Sequence, residues 1–545
     1  MAAPSVPTPL LDSQSIHGGA ARCNAEVVPR RAIVCRFEGE GEAEPITRRR
    51  QVAVILAWMV LIICLFYTTG LSVIIPTVMQ QCGVAVPRWV IQALFPLSHG
   101  SFVEDKEGWF DMANHNYLII SIPWFLGSIF IEAIMITVVL PCRYRPLHGY
   151  RVNDTISSLT LGILNLLIAQ VLFLDWGHAL FNIVYCHAKV MDRFDSTSDP
   201  LAWWLCFFMH DALYYLSHRW SHWFSCLWAS HVVHHSSEEY NLSTALRQPA
   251  NEFLTPGALI SVLGMAIFFP PELVALHGQL GLLCQFWIHT QLVPAMPRFE
   301  LLFNSPSLHR IHHARNVRAL GKNYGSCLSI WDRLGGTFEA EHNDPEPLHY
   351  GIIPPLNSWN PIWANLHHFH HMFMIQWKWH GFRSPFSHWT PPGGRCPTLG
   401  SRLNPRDKFD AYPALKSVRC LVVAEFVCVN IGFLYALSIE PSGTIQNMWS
   451  SCLFAVVTLA LASIAALESA ITVRALRSAL AWDLVRILSF AALALGLATH
   501  TDATSFWSLF FIGGYLVLNG LAVITLILVT PGKSGDGPHA AAYPQ

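Results

Sequence analysis

The chain has 545 residues, of which 52% are hydrophobic and 13% charged, with a formal net charge of −1. Soluble domains carry about a quarter of their residues as charged ones, so the deficit points to an integral membrane protein. The balanced charge and the absence of a basic domain exclude nucleic acid as a partner.

In chain order, residues 1–50 are rich in Ala, Pro, Ser and Glu and are expected to form a disordered cytosolic tail. No basic n-region precedes an apolar h-region, so no cleavable signal peptide is expected. Apolar runs suited to crossing a bilayer, which takes about 20 helical residues, occur at Val52–Met79, Leu118–Leu140, Leu159–Leu174 and Leu201–Leu216. Two shorter runs, Phe253–Phe269 and Leu273–Ile288, are separated by Pro270 and Pro271 and read as a helical hairpin. Four more follow at Val418–Ile439, Trp449–Thr472, Leu484–Ala498 and Phe506–Val529. The fold class is therefore an all-α integral membrane protein with about ten transmembrane or membrane-embedded helices. Residues 51–340 are expected to form a catalytic membrane domain, 341–416 a cytosolic or interfacial linker, 417–531 a C-terminal helix bundle and 532–545 a tail. Arg48, Arg49 and Arg50 before the first run, and Arg143, Arg145 and Arg151 after the second, put those ends on the cytosolic side. The same count places the segments after the fourth and sixth runs in the cytosol.

Fourteen cysteines are scattered without a CxxC pair and are expected to be reduced thiols. The 27 histidines are not scattered. His218 and His222 stand four apart, on one face of a helix continuing the fourth run. His231, His234 and His235 form an HxxHH triplet, and His309, His312 and His313 repeat it. His289 lies between the triplets, at the cytosolic end of the sixth run. Lone histidines such as His178 and His277 read as core residues. Clustered neutral imidazoles are instead costly to bury unless something binds them. Nine nitrogen ligands exceed what one ion can use, so two metals are implied. Imidazole suits Zn, Cu, Fe and Ni alike, and the ligands alone leave a structural or hydrolytic dizinc site open. A site at a membrane face has access to lipid chains, whose inert C–H bonds call for iron and dioxygen.

Asp211, Glu238, Glu239 and Asp332 lie close to the boxes in sequence and offer support for ligand N–H groups. His210 extends the line of Tyr214, His218 and His222, but its place about 12 Å along the axis from His218 counts against a tenth ligand. His367, His368, His370 and His371 have aromatic neighbours that favour an interfacial helix over a metal site. Glu132 and Glu468, inside apolar runs, read either as functional groups or as polar helix contacts.

The stretches "HDALYYLSHRWSH", "HVVHH" and "HRIHH" resemble the three histidine boxes of the fatty acid hydroxylase and sterol desaturase superfamily, integral membrane di-iron oxygenases. Within it, "HHSSEEYNLSTALRQ", "QFWIHTQLV", "NSPSLHRIHHARN" and "KNYGSCLSIWDRLGGTFEAE" are similar to the tetrahydropterin-dependent branch that cleaves ether lipids. The likeness runs from about Val52 to Glu341. It implies that His218, His222, His231, His234, His235, His309, His312 and His313, with His289 as the ninth, hold two iron ions. Its surrounding motif takes in Asp211, Tyr214, Tyr215, Glu238, Asn241, Arg247, Asn323, Tyr324 and Asp332, and of these Asp211, Glu238 and Tyr324 are expected to be catalytic. The chain departs from the pattern at Trp223, where an acidic residue usually stands, and at Gly335, usually a phenylalanine. The first departure bears on how a pterin would be held.

The resemblance further implies a monooxygenase hydroxylating the carbon next to the ether oxygen of 1-O-alkylglycerols and lyso-alkyl lipids. Fatty aldehyde and glycerol would result, with tetrahydrobiopterin and O2 consumed. Substrate would come from the surrounding membrane lipids, in the endoplasmic reticulum, with the site facing the cytosol. The alternative is a sterol or fatty acyl hydroxylase or desaturase of the same superfamily fed by cytochrome b5. A metal transporter would need polar residues along several spans, and a catalytically dead scaffold would not keep intact boxes.

Overall fold

The computed structural model describes residues 117–140, 149–168, 174–190, 199–251, 263–341, 347–353, 355–376, 381 and 383. The expected first run, most of Phe253–Phe269 and the four C-terminal runs lie outside these residues, as do both terminal tails. The described part is helical. Helix α1 spans Tyr117–Ile134 and continues through a π turn at Met135–Val139. It is followed by α2 (Val152–Ile168), α3 (Leu174–Ala188), α4 (Pro200–Trp223) and α5 (Ser225–His235). Then come α6 (Leu242–Ala245), α7 (Pro271–Trp287), α8 (Pro306–His313), α9 (Ile330–Leu334) and α10 (Pro361–His371).

The starts of these helices follow from local chemistry. The Asp199 carboxylate accepts from Leu201 N and Ala202 N ahead of Pro200, while Ser305 and Asn360 cap α8 and α10 in the same way, each before a proline. Proline in the first turn costs no intrahelical bond, because its N–H would be unpaired there anyway. At Phe224 the backbone swings to φ −92° and ψ 131°, ending α4 and starting α5 at a new angle. That single extended residue turns the α5 histidines back towards those of α4.

Helix α1 holds the one stretch among the described residues that is long and apolar enough to cross a membrane, Ser121–Val139, with a mean hydropathy of 2.0. Helix α4 is too polar on average, yet Leu201, Trp204, Leu205, Phe208, Leu216, Trp220 and Trp223 form an exposed stripe at helical spacing. Its opposite face buries Trp203, Cys206, Asp211, Tyr215 and His218. An apolar core joins α1, α3, α4 and α7, with the Phe125 and Phe286 rings 4.4 Å apart.

Glu132, fully buried in α1, shows how polar groups position the site. Its carboxylate accepts from Tyr150 Oη, Leu242 N and the Thr290 hydroxyl, tying α1 to α6 and to the residue after His289. The polar-contact reading is the one realised. Within the described part of the stretch expected as a linker, the Arg315 amide donates to the His349 carbonyl, Tyr350 stacks on Tyr240, and α10 packs along α5, so this part packs against the histidine-bearing helices.

Candidate metal centre

All nine expected ligands converge, in two groups. One comprises His218, His222, His231, His235 and His312; the other comprises His234, His289, His309 and His313. Within each group the donor atoms lie within 4.8 Å of one another. Each HxxHH box is divided between them. The i, i+4 pair His231 and His235 enters the five-histidine group while His234 crosses over. In the second box, His309 and His313 enter the four-histidine group and His312 crosses over. Three residues on one helical face, offset by a third of a turn, can in this way serve two centres side by side. The stacked His235 and His313 rings, 4.3 Å apart, mark where the groups meet.

Backbone carbonyls set the tautomers. The Nδ1–H groups of His218, His234, His289 and His312 donate to the carbonyls of Tyr324 (2.9 Å), Arg247 (3.0 Å), Gln285 (2.8 Å) and Lys322 (2.9 Å). With Nδ1 carrying the proton, Nε2 presents a lone pair. Yet Nε2 of His289 faces Nε2 of His234 at 3.3 Å, two lone pairs with no proton between them. Nε2 of His222 is buried without a hydrogen-bond partner. The other Nε2 pairs are spaced at 2.9 Å (His218 and His231), 3.1 Å (His231 and His235, His235 and His312) and 3.2 Å (His289 and His309, His309 and His313). Donor nitrogens bound at about 2.1 Å lie about 3.0 Å apart around an octahedral ion and about 3.4 Å around a tetrahedral one. The observed spacings, 2.9 to 3.3 Å, match that interval to within about 0.1 Å, so the residues present fit two metal ions. Burial, reinforced by neighbouring imidazoles at most of these positions, holds the ring pKa values down, to about 4 for His218 and His234 and well below 6.5 for the other seven. The imidazoles are neutral at pH 7 and free to ligate.

The three expected catalytic residues are placed differently from one another. Tyr324 borders the five-histidine group, its ring centroid 5.2 Å from that of His222 and 5.6 Å from those of His218 and His312. Asp211 reaches no histidine. Its carboxylate accepts from Cys327 N (2.9 Å), Leu328 N (3.2 Å) and Trp331 Nε1 (2.9 Å), so it positions the loop that presents Tyr324. Glu238 accepts from Arg151 Nη2 at 2.9 Å. Asp332 binds the amides of Tyr324 and Gly325, both at 2.7 Å, fixing the peptide whose carbonyl receives His218. Arg247 is fully buried, donating to the Val233 carbonyl, Ser236, Asp154 and Ser158 while its own carbonyl holds His234.

Outside the centre, His210 packs against α7, where a Cβ on Gly281 would lie 3.5 Å from its ring, and it joins neither group. The α10 histidines split between faces. His368 is buried and bonded to Ser225 Oγ at 3.0 Å, whereas His370 is exposed beside Trp363. Both departures from the family pattern have local consequences. At Gly335 a Cβ would lie 1.9 Å from Tyr215 Oη, so the tyrosine occupies the space a side chain would need. Trp223, 47% exposed, lies under the Arg219 guanidinium, 5.8 Å from ring centroid to Cζ.

Comparison with known proteins agrees with this geometry. Residues 203–337, which carry all nine histidines, match the fatty acid hydroxylase family model. The chain is 35% identical to the alkylglycerol monooxygenase of Homo sapiens over 281 residues, covering 50% of this chain and 58% of that protein. Likeness to the alkylglycerol monooxygenase of Danio rerio is 36% over 274 residues, with the same shares. The ornithine lipid hydroxylase of Rhizobium tropici is 32% identical over 137 residues, covering 24% of this chain and 39% of that protein. The chain thus spans less than two thirds of the length of these relatives. No solved structure matches it.

Proposed function

We propose that this chain is a membrane-bound di-iron monooxygenase that cleaves the ether bond of 1-O-alkylglycerols. The observation that carries the reading is the division of nine buried histidines into two adjoining groups of metal-ligand spacing. The similarity of residues 203–337 to fatty acid hydroxylases, and of half the chain to alkylglycerol monooxygenases, supports the choice of iron and of an ether-lipid substrate.

The balanced reaction inserts one oxygen atom of O2 into a C–H bond of the methylene next to the ether oxygen. The second oxygen leaves as water, using two electrons and two protons from a tetrahydropterin. The resulting hemiacetal collapses to a fatty aldehyde and glycerol. Two bound iron ions would supply the activation of dioxygen. The chain's own residues do the rest. His218, His222, His231, His235 and His312 would hold one ion and His234, His289, His309 and His313 the other, their orientation set by the four carbonyls described above. The exposed apolar stripe of α4 and the outward face of α10 and the π turn after it, with Ile362, Trp363, Leu366, Phe373 and Met374 exposed, suit a site fed from the bilayer. The arginine distribution supports a site on the cytosolic side, and the membrane we propose is that of the endoplasmic reticulum.

The test is to incubate membranes holding the expressed chain with a 1-O-alkylglycerol, O2 and tetrahydrobiopterin and to assay fatty aldehyde. Aldehyde that requires the pterin is the expected result. No aldehyde, with sterol or acyl product when cytochrome b5 and its reductase are supplied, would overturn the reading.

A further inference from the structure

Along one edge of the five-histidine group runs a stripe of α4 made by Tyr215, Arg219 and Trp223. Arg219 is half-buried and makes no ion pair among the described residues. Its Nη1 donates to Tyr215 Oη at 3.0 Å and to the Gly335 carbonyl at 3.2 Å. Those two bonds fix the plane of the guanidinium and leave its Nε and Nη2 edge without a partner among the described residues. That edge presents two parallel N–H groups, the arrangement that matches two oxygens of one phosphate. The Tyr215 ring in turn meets Tyr324, with centroids 6.3 Å apart. Tyr324 is only 6% exposed, yet its hydroxyl bonds no described residue, and its ring stands over His218, His222 and His312. Lys322, whose carbonyl receives His312, lies on the loop of Tyr324 and is a second cation without an ion pair among the described residues. The acid nearest this loop, Asp332 in α9, feels the Arg219 charge, but its oxygens are taken by Tyr324 N, Gly325 N and Thr337 Oγ1.

We propose that Arg219 and Tyr324 form a headgroup seat at the open edge of the five-histidine group, and that it selects ether lipids carrying a phosphate. The phosphate would lie on the free Nε and Nη2 edge of Arg219, with the Tyr324 hydroxyl donating to a glycerol or phosphate oxygen. Between them, one glycerol backbone would bring the ether carbon under the Tyr324 ring. Charge-assisted bonds of this kind change affinity by about tenfold to a hundredfold. The inference rests on the ether-lipid reading above and names its substrate class.

The experiment compares kcat/KM for 1-O-hexadecylglycerol and its 3-phosphate, using the full chain in micelles of a neutral detergent. The phosphate substrate is expected to be favoured by at least about tenfold. Arg219→Gln should bring the ratio close to one, mainly through KM, while Arg219→Lys, a point charge without the fork, should retain an intermediate ratio. Diacyl phosphatidate added as competitor separates the substrate's own phosphate from that of a bilayer lipid, and weak competition is expected. A preference for the neutral substrate, equal losses on both substrates in R219Q, or phosphatidate competing as well as the ether phosphate would each overturn the proposal. Absence of aldehyde from either substrate would sink the ether-lipid reading instead. Equilibrium retention of labelled alkylglycerol phosphate by the wild-type chain but not by R219Q would then still establish the seat, and equal retention would refute it.

Discussion

The two histidine groups are built alike but are not equivalent. The four-histidine group is buried at every position, under Tyr240, whose ring stacks on His289 at 5.6 Å. The five-histidine group includes two half-buried members, His222 and His231, and borders Tyr324. A centre that must meet a lipid needs an open edge, and one that only shares electrons does not. On the proposed function, the difference would place substrate on the five-histidine side and leave the four-histidine group sealed, with no ligand to spare.

The largest effect should come from breaking the sealed side. His234→Ala leaves three ligands and a buried cavity, and is expected to bring aldehyde formation to background and to lower the metal bound per chain, measured by elemental analysis. His222→Ala leaves four ligands on the open side and should keep more metal and more activity than H234A. Equal losses in the two variants would erase the asymmetry. Next comes Asp332→Asn, which weakens the hold on the Tyr324 peptide and so on His218. Supporting groups of this kind change activity or metal affinity by about tenfold to a hundredfold, with metal titration as the check.

Much of this centre was legible in the sequence, because imidazoles at i, i+3 and i+4 share a helical face whatever the fold around them. Eight of the nine candidate ligands follow from that spacing, whereas His289 follows only from its place between the two boxes and the expectation of two metals from the total of nine. Their division into five and four does not, because it depends on the turn at Phe224 between α4 and α5 and on how α5 then faces α8. The carbonyls of Tyr324, Arg247, Gln285 and Lys322 left no trace either, since every residue has one. Asp211 was legible as a neighbour in sequence but not in role: its carboxylate turns away to the amides of Cys327 and Leu328. Aromatic neighbours marked the α10 histidines as part of an interfacial helix, but only packing shows that His368 anchors it to Ser225.

Smaller effects test the surroundings of the open edge. Gly335→Ala puts a Cβ against Tyr215 Oη and should cost about 1–3 kcal/mol of stability, read as a lowered Tm, with Arg219 losing its anchor. The smallest effect concerns α10. Burial, with His367 and His371 beside it, holds the pKa of His368 at about 3, against 6.5 when unfolded. The unfolded state therefore takes up the proton first, and the stability this group contributes is present above pH 6.5 and lost as pH falls towards 3. Hydrogen exchange in α10 should accelerate relative to α5 as pH falls from about 7.5 to about 5. His368→Gln should abolish that difference, and an unchanged pH response in the variant would remove His368 from the account.

The central claim is that one atom of dioxygen is inserted at the carbon beside the ether oxygen. Turnover of a 1-O-alkylglycerol under 18O2, with the aldehyde reduced to the alcohol as it forms, tests it most directly. Label is expected in the fatty alcohol and none in glycerol; unlabelled fatty product, with label recovered only when the water is enriched, would rule that insertion out.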